Sequence, residues 1–283
     1  MRKIKQFFAF FLIHLATIII CLGLFSILFF IFKNGISAIN FDFLTKMPIE
    51  AMTKGGIFPA IVGTFYLSLG AIAFAFPLGV GTAIYLSEYA KEGKIVHIIR
   101  IGINNLAGVP SIVFGLFGLA LFVVYLKFGS SILSGSLTLG VLILPIIIQA
   151  SEEALKAVPQ SYREASYALG ATKWQTIFRV VLPAAFPGIL TSAILGLSRA
   201  AGETAPIMFT AAAFYTPRLP HSIFDEVMAL PYHIYVLATA GTHIEETKAI
   251  QYGTALVLIS LVFVLNLGAI ILRIRFRKKL GAR

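Results

Sequence analysis

The sequence predicts an all-α integral membrane protein with six transmembrane helices and both termini cytoplasmic. Three observations predict it. Of the 283 residues, 58% are hydrophobic and only 12% charged, with a mean hydropathy of +0.91, where soluble domains carry roughly 25% charged residues. Six apolar stretches each approach the ~20 residues that a bilayer crossing needs. Lysine and arginine also fall unequally on the two sides those crossings create, and the richer side is cytoplasmic.

Taken in order, the first span is 7–32, after the basic start Arg2, Lys3 and Lys5. It exceeds the roughly 7–15-residue apolar core of a signal peptide, so it reads as a retained span. A polar loop at 33–56 follows. The second span, 57–86, is long enough to tilt or kink, with Pro77 near Gly79 and Gly81. A charged connection at 87–105 leads to the third span, 106–126, which opens on Pro110. The fourth span, 136–150, carries Pro145. A charged loop occupies 151–183, and the fifth span runs over about 184–212. A loop at 214–251 with Pro217, Pro220 and Pro231 precedes the sixth span, 252–272, and the tail RIRFRKKLGAR. As domains, these are an N-terminal helix with its outer loop (1–56), a main membrane unit (57–273) and a basic cytoplasmic tail (274–283).

The side holding both termini has sixteen of the 23 Lys and Arg: Arg2, Lys3, Lys5, Lys91, Lys94, Arg100, Lys156, Arg163, Lys173, Arg179, Arg273, Arg275, Arg277, Lys278, Lys279 and Arg283. Lys33, Lys46, Lys54, Lys127, Arg218 and Lys248 are on the other side, and Arg199 lies within a span. The net charge of +11 therefore reads as membrane topology and not as nucleic-acid binding. The single cysteine, Cys21, gives neither an intrachain disulfide nor a CxxC site. The five histidines are scattered without ligand spacing on one helix face, which argues against a metal centre. There is no phosphate-binding G-x-x-x-x-G-K-[ST] loop and no serine elbow, so no catalytic residue is expected on this chain.

The polar stretch 151–210 stands apart. Within it, Ser161–Glu164 has the spacing of a capping box, and Gly170 suits a left-handed helix end. Thr172–Gln175 is a second box, and Pro183 marks the start of the fifth span. The expectation is a helix, a glycine corner and a second short helix, with Tyr162, Ala165 and Leu169 on one stripe. Two readings fit: an interfacial helix lying in the headgroups, or a knob fitting a groove on a soluble partner. The small residues Ala165, Ser166 and Ala168 favour close docking over lipid insertion.

Further on, Arg199 and Glu203 are four residues apart and share a helix face, near Ser192, Gly196 and Pro206. An ionisable residue at mid-bilayer costs on the order of 2.5–3.5 kcal/mol, so such residues face the bundle interior and pair. The pair is either self-neutralising structure or an anion site, in which Arg199 offers a guanidinium fork to an oxyanion and Glu203 orients it. Pro77 and Pro110, each near glycines, read either as flex points or as kinks that membrane helices tolerate.

The run EAS-YAL-G, followed after nine residues by V-V-L-P, resembles the cytoplasmic loop signature of binding-protein-dependent ABC importer permeases. Glu164, Ala165, Gly170, Leu182 and Pro183 match that pattern, while Ser166 and Val180 are mild departures. The run RAAGETAPI, with Arg199, Glu203 and Thr204, is similar to the fifth-span signature of phosphate importer permeases, and its A-P-I ending to their A-type (PstA) subunits. NNLAGVPSIVFGLFGLA and PLGVGTAIYLSEYA support the same resemblance, which covers nearly the whole chain from Ile57. It implies a type I importer permease (MetI-like) fold in a bacterial or archaeal cell membrane. It also implies a second, C-type permease as partner, an ABC ATPase dimer under the loop that binds the ATP and Mg, and an extracytoplasmic phosphate-binding protein. A permease for sulfate, molybdate or tungstate, or the sister C-type subunit, is the alternative.

Overall fold

The computed structural model describes residues 2–91, 93–240 and 244–279. Glu92, His243 and the tail residues 280–283, including Arg283, lie outside the described residues. Helix α1 (Arg2–Gly35) comes first, then a short α2 (Phe41–Thr45) and a two-residue hairpin of β1 (Pro48–Ile49) and β2 (Lys54–Gly55). Helix α3 (Phe58–Ile84) widens into a π turn at Tyr85–Tyr89. Helix α4 (Lys94–Ala107) is followed by α5 (Ser111–Gly118), which continues as a π stretch to Tyr125. Then come α6 (Ile132–Lys156), α7 (Gln160–Ala168) and α8 (Lys173–Thr176). Helix α9 (Leu182–Gly202) is followed by α10 (Ala205–Met208), α11 (Leu230–Thr239) and α12 (Ile244–Lys279).

Among the described residues, five helices are long and apolar enough to cross a membrane: Phe10–Ala38, Phe58–Tyr89, Ile132–Lys156, Lys173–Gly202 and Thr247–Phe276. The third expected span does not pass as a single helix. Lys94–Ala107 and Ser111–Tyr125 meet at 101° across Pro110. The physical cause is local: Pro110 has no N–H to continue the ladder, and it disfavours helical geometry at Val109. Most of the expected span 106–126 is thus the helix after Pro110, and the charged connection expected at 87–105 is largely a helix nearly perpendicular to it. Pro77, by contrast, sits inside the unbroken α3.

The centre of the bundle is α3 against α6, with α9 packed on both: Gly196 faces Ile147 of α6 and Ile72 of α3. Leu67, Ala71, Ala75, Leu139, Ile143, Ile147, Ala200 and Ile207 are buried there. Small residues set the approach. A side chain at Gly63 would run into the Met228 carbonyl, and one at Gly79 would lie 2.6 Å from Ile147 Cγ2. Gly63→Val is expected to lower complex stability by about 1–3 kcal/mol, the range for overpacking a filled core. A melting temperature equal to wild type would contradict that packing. Helix α12 docks on α9 through polar contacts, Ser198 Oγ donating to Asn266 Oδ1 at 2.6 Å and Arg273 Nη1 to Thr191 Oγ1 at 3.1 Å. Helix α1 packs at its C-terminal end, where Gly35 meets the Tyr252 backbone and Phe30 lies edge-on to Tyr252.

Several boundaries differ from the sequence expectation. The fourth span begins at Ile132 and carries Ser151–Lys156 as its last turns, so those charges belong to a helix and not to a loop. The second short helix is not separate from the fifth span: Lys173–Gly202 is one helix, with a π stretch at Ile177–Val181 before Pro183. Pro183 therefore marks no break: it lies inside this continuous helix, directly after the π stretch and Leu182. The segment 214–251 is not all loop, since Pro231 opens α11 in the favoured first turn.

Helix α11 buries His233, which is 2% exposed, and neither ring nitrogen has a hydrogen-bond partner. Burial pushes its pKa down to about 4. The folded state thus holds it neutral while the unfolded chain protonates near 6.5, so stability is full above about pH 6.5 and falls as the pH drops towards 4. From pH 7 to 5 this costs about 2 kcal/mol, at 1.36 kcal/mol per pKa unit. His233→Leu is expected to flatten that part of a melting-temperature profile; an unchanged acid slope would show that other groups carry it.

Candidate functional site

Two regions collect the polar residues of the chain. The first is an elbow at the end of the bundle where α6 finishes. Pro159, with φ −55° and ψ 139°, starts α7 at Gln160, and no side chain caps it. The expected Ser161–Glu164 capping box does not form. The helix begins two residues earlier than that box requires, which leaves Ser161 inside the first turn. The second box does form: Thr172 Oγ1 accepts from Gln175 N at 3.3 Å, and Gln175 Oε1 accepts from Thr172 N at 2.9 Å. Between them Gly170 adopts φ +80°, the left-handed geometry that glycine tolerates best.

The elbow is pinned from within. Ser166 and Thr176 hydroxyls lie 2.9 Å apart across the corner. Outward it presents Glu164 and Ala165, with Tyr162 at 52% exposure, Leu169 at 89% and Trp174 at 62%. An 89%-exposed leucine on a glycine corner is a knob with nothing over it. Leu182 and Pro183, the other matched positions, are half-buried where α9 begins. Lys173 Nζ stands 5.0 Å from the centre of the Tyr89 ring, so α8 also touches the end of α3.

The second region lies at the opposite end of α9. Arg199 Nε donates to Glu203 Oε1 at 3.2 Å. Glu203 is outside the helix, however: α9 stops at Gly202, and Glu203 has extended backbone, φ −77° and ψ 133°. The fifth span therefore ends about ten residues sooner than expected, and Thr204 leads into the four-residue α10. The break follows from Gly202 with Pro206 four residues on, since Pro206 suits only a fresh helix start. Ser192 and Gly196 are buried against α6: Ser192 Oγ lies 2.9 Å from Ser151 Oγ, and Gly196 faces Ile147.

The α9–α10 break packs on the other broken helix. A side chain at Gly115 in α5 would come 2.9 Å from the Ala205 carbonyl. The helix that follows Pro110 is thereby set against the α9–α10 break, at Gly115. Glu203, together with Thr64 and Ser68 of α3, lines a small cavity; Ser68 is 1% exposed and its hydroxyl has no partner. The side chains of Arg199 and Glu203 are 37% and 17% exposed. Among the described residues the terminal guanidinium nitrogens of Arg199 make no hydrogen bond, and no cluster of three or more His, Cys, Asp or Glu is placed to hold a metal.

Sequence reasoning passed over two ion-pair groups. Arg163 reaches Glu88 at the end of α3, at 2.6 Å for Nη2–Oε1 and 3.3 Å for Nε–Oε2. Glu152 of α6 is held by Arg100 of α4 and by Lys156 at 2.9 Å. Both were visible as charges on the terminus-bearing side, but pairing partners 75 and 52 residues apart carry no local signal.

Spanning helices around a half-buried charged pair, with an exposed polar elbow at one end, define a membrane permease. The chain belongs to the family of binding-protein-dependent transport system inner membrane components, whose model matches residues 75–280. It is 38% identical to the probable ABC transporter permease protein YqgI of Bacillus subtilis, over 93% of this chain and 92% of that one. It is 37% identical to the phosphate transport system permease protein PstA of Mycobacterium leprae, over 100% and 93% of the two chains. Among solved structures, an inward-facing MetNI methionine ABC transporter matches with a TM-score of 0.61 at 20% identity, over 78% of this chain and 94% of that one. The fold is thus that of MetI-like ABC importer permeases, and the protein is a multi-pass inner-membrane protein.

Proposed function

We propose that this chain is the A-type permease subunit of an ATP-driven importer of inorganic phosphate. The observation that carries the reading is the state of Arg199. Only its Nε is used, on Glu203, so the terminal fork is left for an oxyanion. Glu203 holds the guanidinium in place, and Thr204 adds a hydroxyl at the same helix break. The kinship to PstA proteins supports phosphate as the anion.

Glu164, Ala165 and Gly170, with Leu182 and Pro183 behind them, dock the ATPase. The exposed Leu169 and Tyr162 beside Ala165 give that surface an apolar centre. The ATPase dimer binds ATP and Mg and hydrolyses the nucleotide; this chain holds neither and is not itself an enzyme. A C-type permease completes the pathway, and a phosphate-binding protein docks on the outer face. The permease unit runs over 57–273, and both termini are cytoplasmic. Pro110 marks a hinge at the 101° bend, and α5 beyond it packs on α10, which follows the charged pair.

The test is uptake of labelled phosphate by vesicles holding the full complex, with ATP inside and sulfate or molybdate as competitor. ATP-dependent uptake that excess sulfate leaves intact is expected. Uptake displaced by sulfate or molybdate would move the assignment to another oxyanion.

A further inference from the structure

Arg163 sits on the inner side of α7, facing the bundle. Its guanidinium binds the ends of two other helices at once. Nη2 and Nε take the Glu88 carboxylate at 2.6 and 3.3 Å. Nη1 donates to Val158 O at 2.8 Å, and Nη2 also donates to Leu155 O at 3.1 Å. The two side chains are only 11% and 7% exposed. Glu88 belongs to the π turn that ends α3, Leu155 to the last turn of α6, and Val158 to the connection that follows it. A second arginine grips the same place from the other side: Arg100 of α4 pairs with Glu152 of α6 and donates to Leu86 O at 3.2 Å.

We propose that the Arg163–Glu88 pair is the joint through which displacement of the elbow reaches the spanning helices, with Arg163 a positioning residue in the transport cycle. This rests on the reading of the elbow as the ATPase docking site. The geometry supports it in two ways. The pair lies behind the exposed docking residues and not among them. It also ties α7 to the tips of α3 and α6, the two helices whose packing forms the centre of the bundle. A planar fork with its donors satisfied on three residues resists rotation, as a single-point contact does not. Through Arg100 the same clasp holds α4, whose far end is the Pro110 bend. A push on α7 is therefore delivered to α3, α4 and α6 together.

The experiment uses the complete complex in liposomes and compares wild type with Glu88→Gln and Arg163→Lys. Glu88→Gln keeps the shape but removes the charge, and Arg163→Lys keeps the charge but removes the fork. Three quantities are read: ATPase retained on purification, ATP hydrolysis, and phosphate moved per ATP hydrolysed. The expected result is wild-type ATPase retention, continued hydrolysis, and a fall of about tenfold in phosphate per ATP for both variants. Combining the two changes is expected to do no more than the worse single one, because they remove one joint. An unchanged ratio with an assembled complex overturns the proposal. Release of the ATPase by both variants also overturns it, since the pair would then belong to the docking surface. Ala165→Glu, measured alongside, reports on docking alone: if it leaves the ATPase bound and active, the docking reading fails whatever the ratio shows.

Discussion

Arg199→Gln is expected to cut ATP-driven phosphate uptake by about 100-fold or more while the complex still assembles. Each charge-assisted hydrogen bond is worth about 1.5–3 kcal/mol, and a fork offers two; every 1.4 kcal/mol is a factor of ten. The loss has a second source. Glu203 is held by Arg199 Nε at 3.2 Å and is 17% exposed. Without the cation its carboxylate faces the approaching anion directly and repels it. Arg199→Gln with Glu203→Gln removes that repulsion, so the double variant is expected to recover part of the uptake. Arg199→Lys is expected to fall between wild type and Arg199→Gln, since a lysine restores charge without the planar fork. The measurement is initial uptake rate in vesicles, with subunit stoichiometry checked on the same samples. Normal uptake by Arg199→Gln would remove this residue from the phosphate path.

The second large effect belongs to the elbow. Ala165→Glu is expected to release the ATPase subunits from the membrane. Ala165 stands on the exposed stripe of α7 beside Tyr162 and Leu169, where a partner groove would cover it. An unpaired carboxylate forced into such a contact costs about 2–5 kcal/mol, which weakens association by roughly 30-fold to several-thousand-fold. Gly170→Val acts by a different route. At φ +80° a β-branched residue is strained, so the corner opens and Leu169 leaves its position. Both variants are expected to lose co-purified ATPase and ATP hydrolysis in the membrane fraction while the two permeases remain paired. Retention of active ATPase by Ala165→Glu would mean that the partner grips another surface.

Much of the elbow could be read in sequence because its determinants are local. The Thr172–Gln175 box and the positive φ of Gly170 depend on residues within three or four positions of each other. The Ser161–Glu164 box failed for an equally local reason, a competing start signal at Pro159. Helix breaks were partly readable. Pro110 was read as either a flex point or a tolerated kink, and nothing near it in sequence fixed the 101° angle, since α4 is held to α6 by the distant pair Arg100–Glu152. The stop at Gly202 was signalled by Gly202 and Pro206, yet the apolar run through Ala212 outweighed it, because hydropathy measures transfer to lipid and is blind to backbone continuity.

The sequence by itself determined that the chain crosses a membrane repeatedly, that it carries a glycine-cornered polar elbow between two crossings, and that Arg199 and Glu203 share one site. These depend on composition and on spacings of a few residues. Tertiary structure alone decided which charges meet: Arg163 with Glu88, Arg100 with Glu152, and the broken end of α9 against α5. Those contacts join residues far apart in sequence, and in an apolar medium an unpaired buried charge is too costly to persist. Packing of α3, α6 and α9 brings the partners into reach, and the need to neutralise them then selects the pairs.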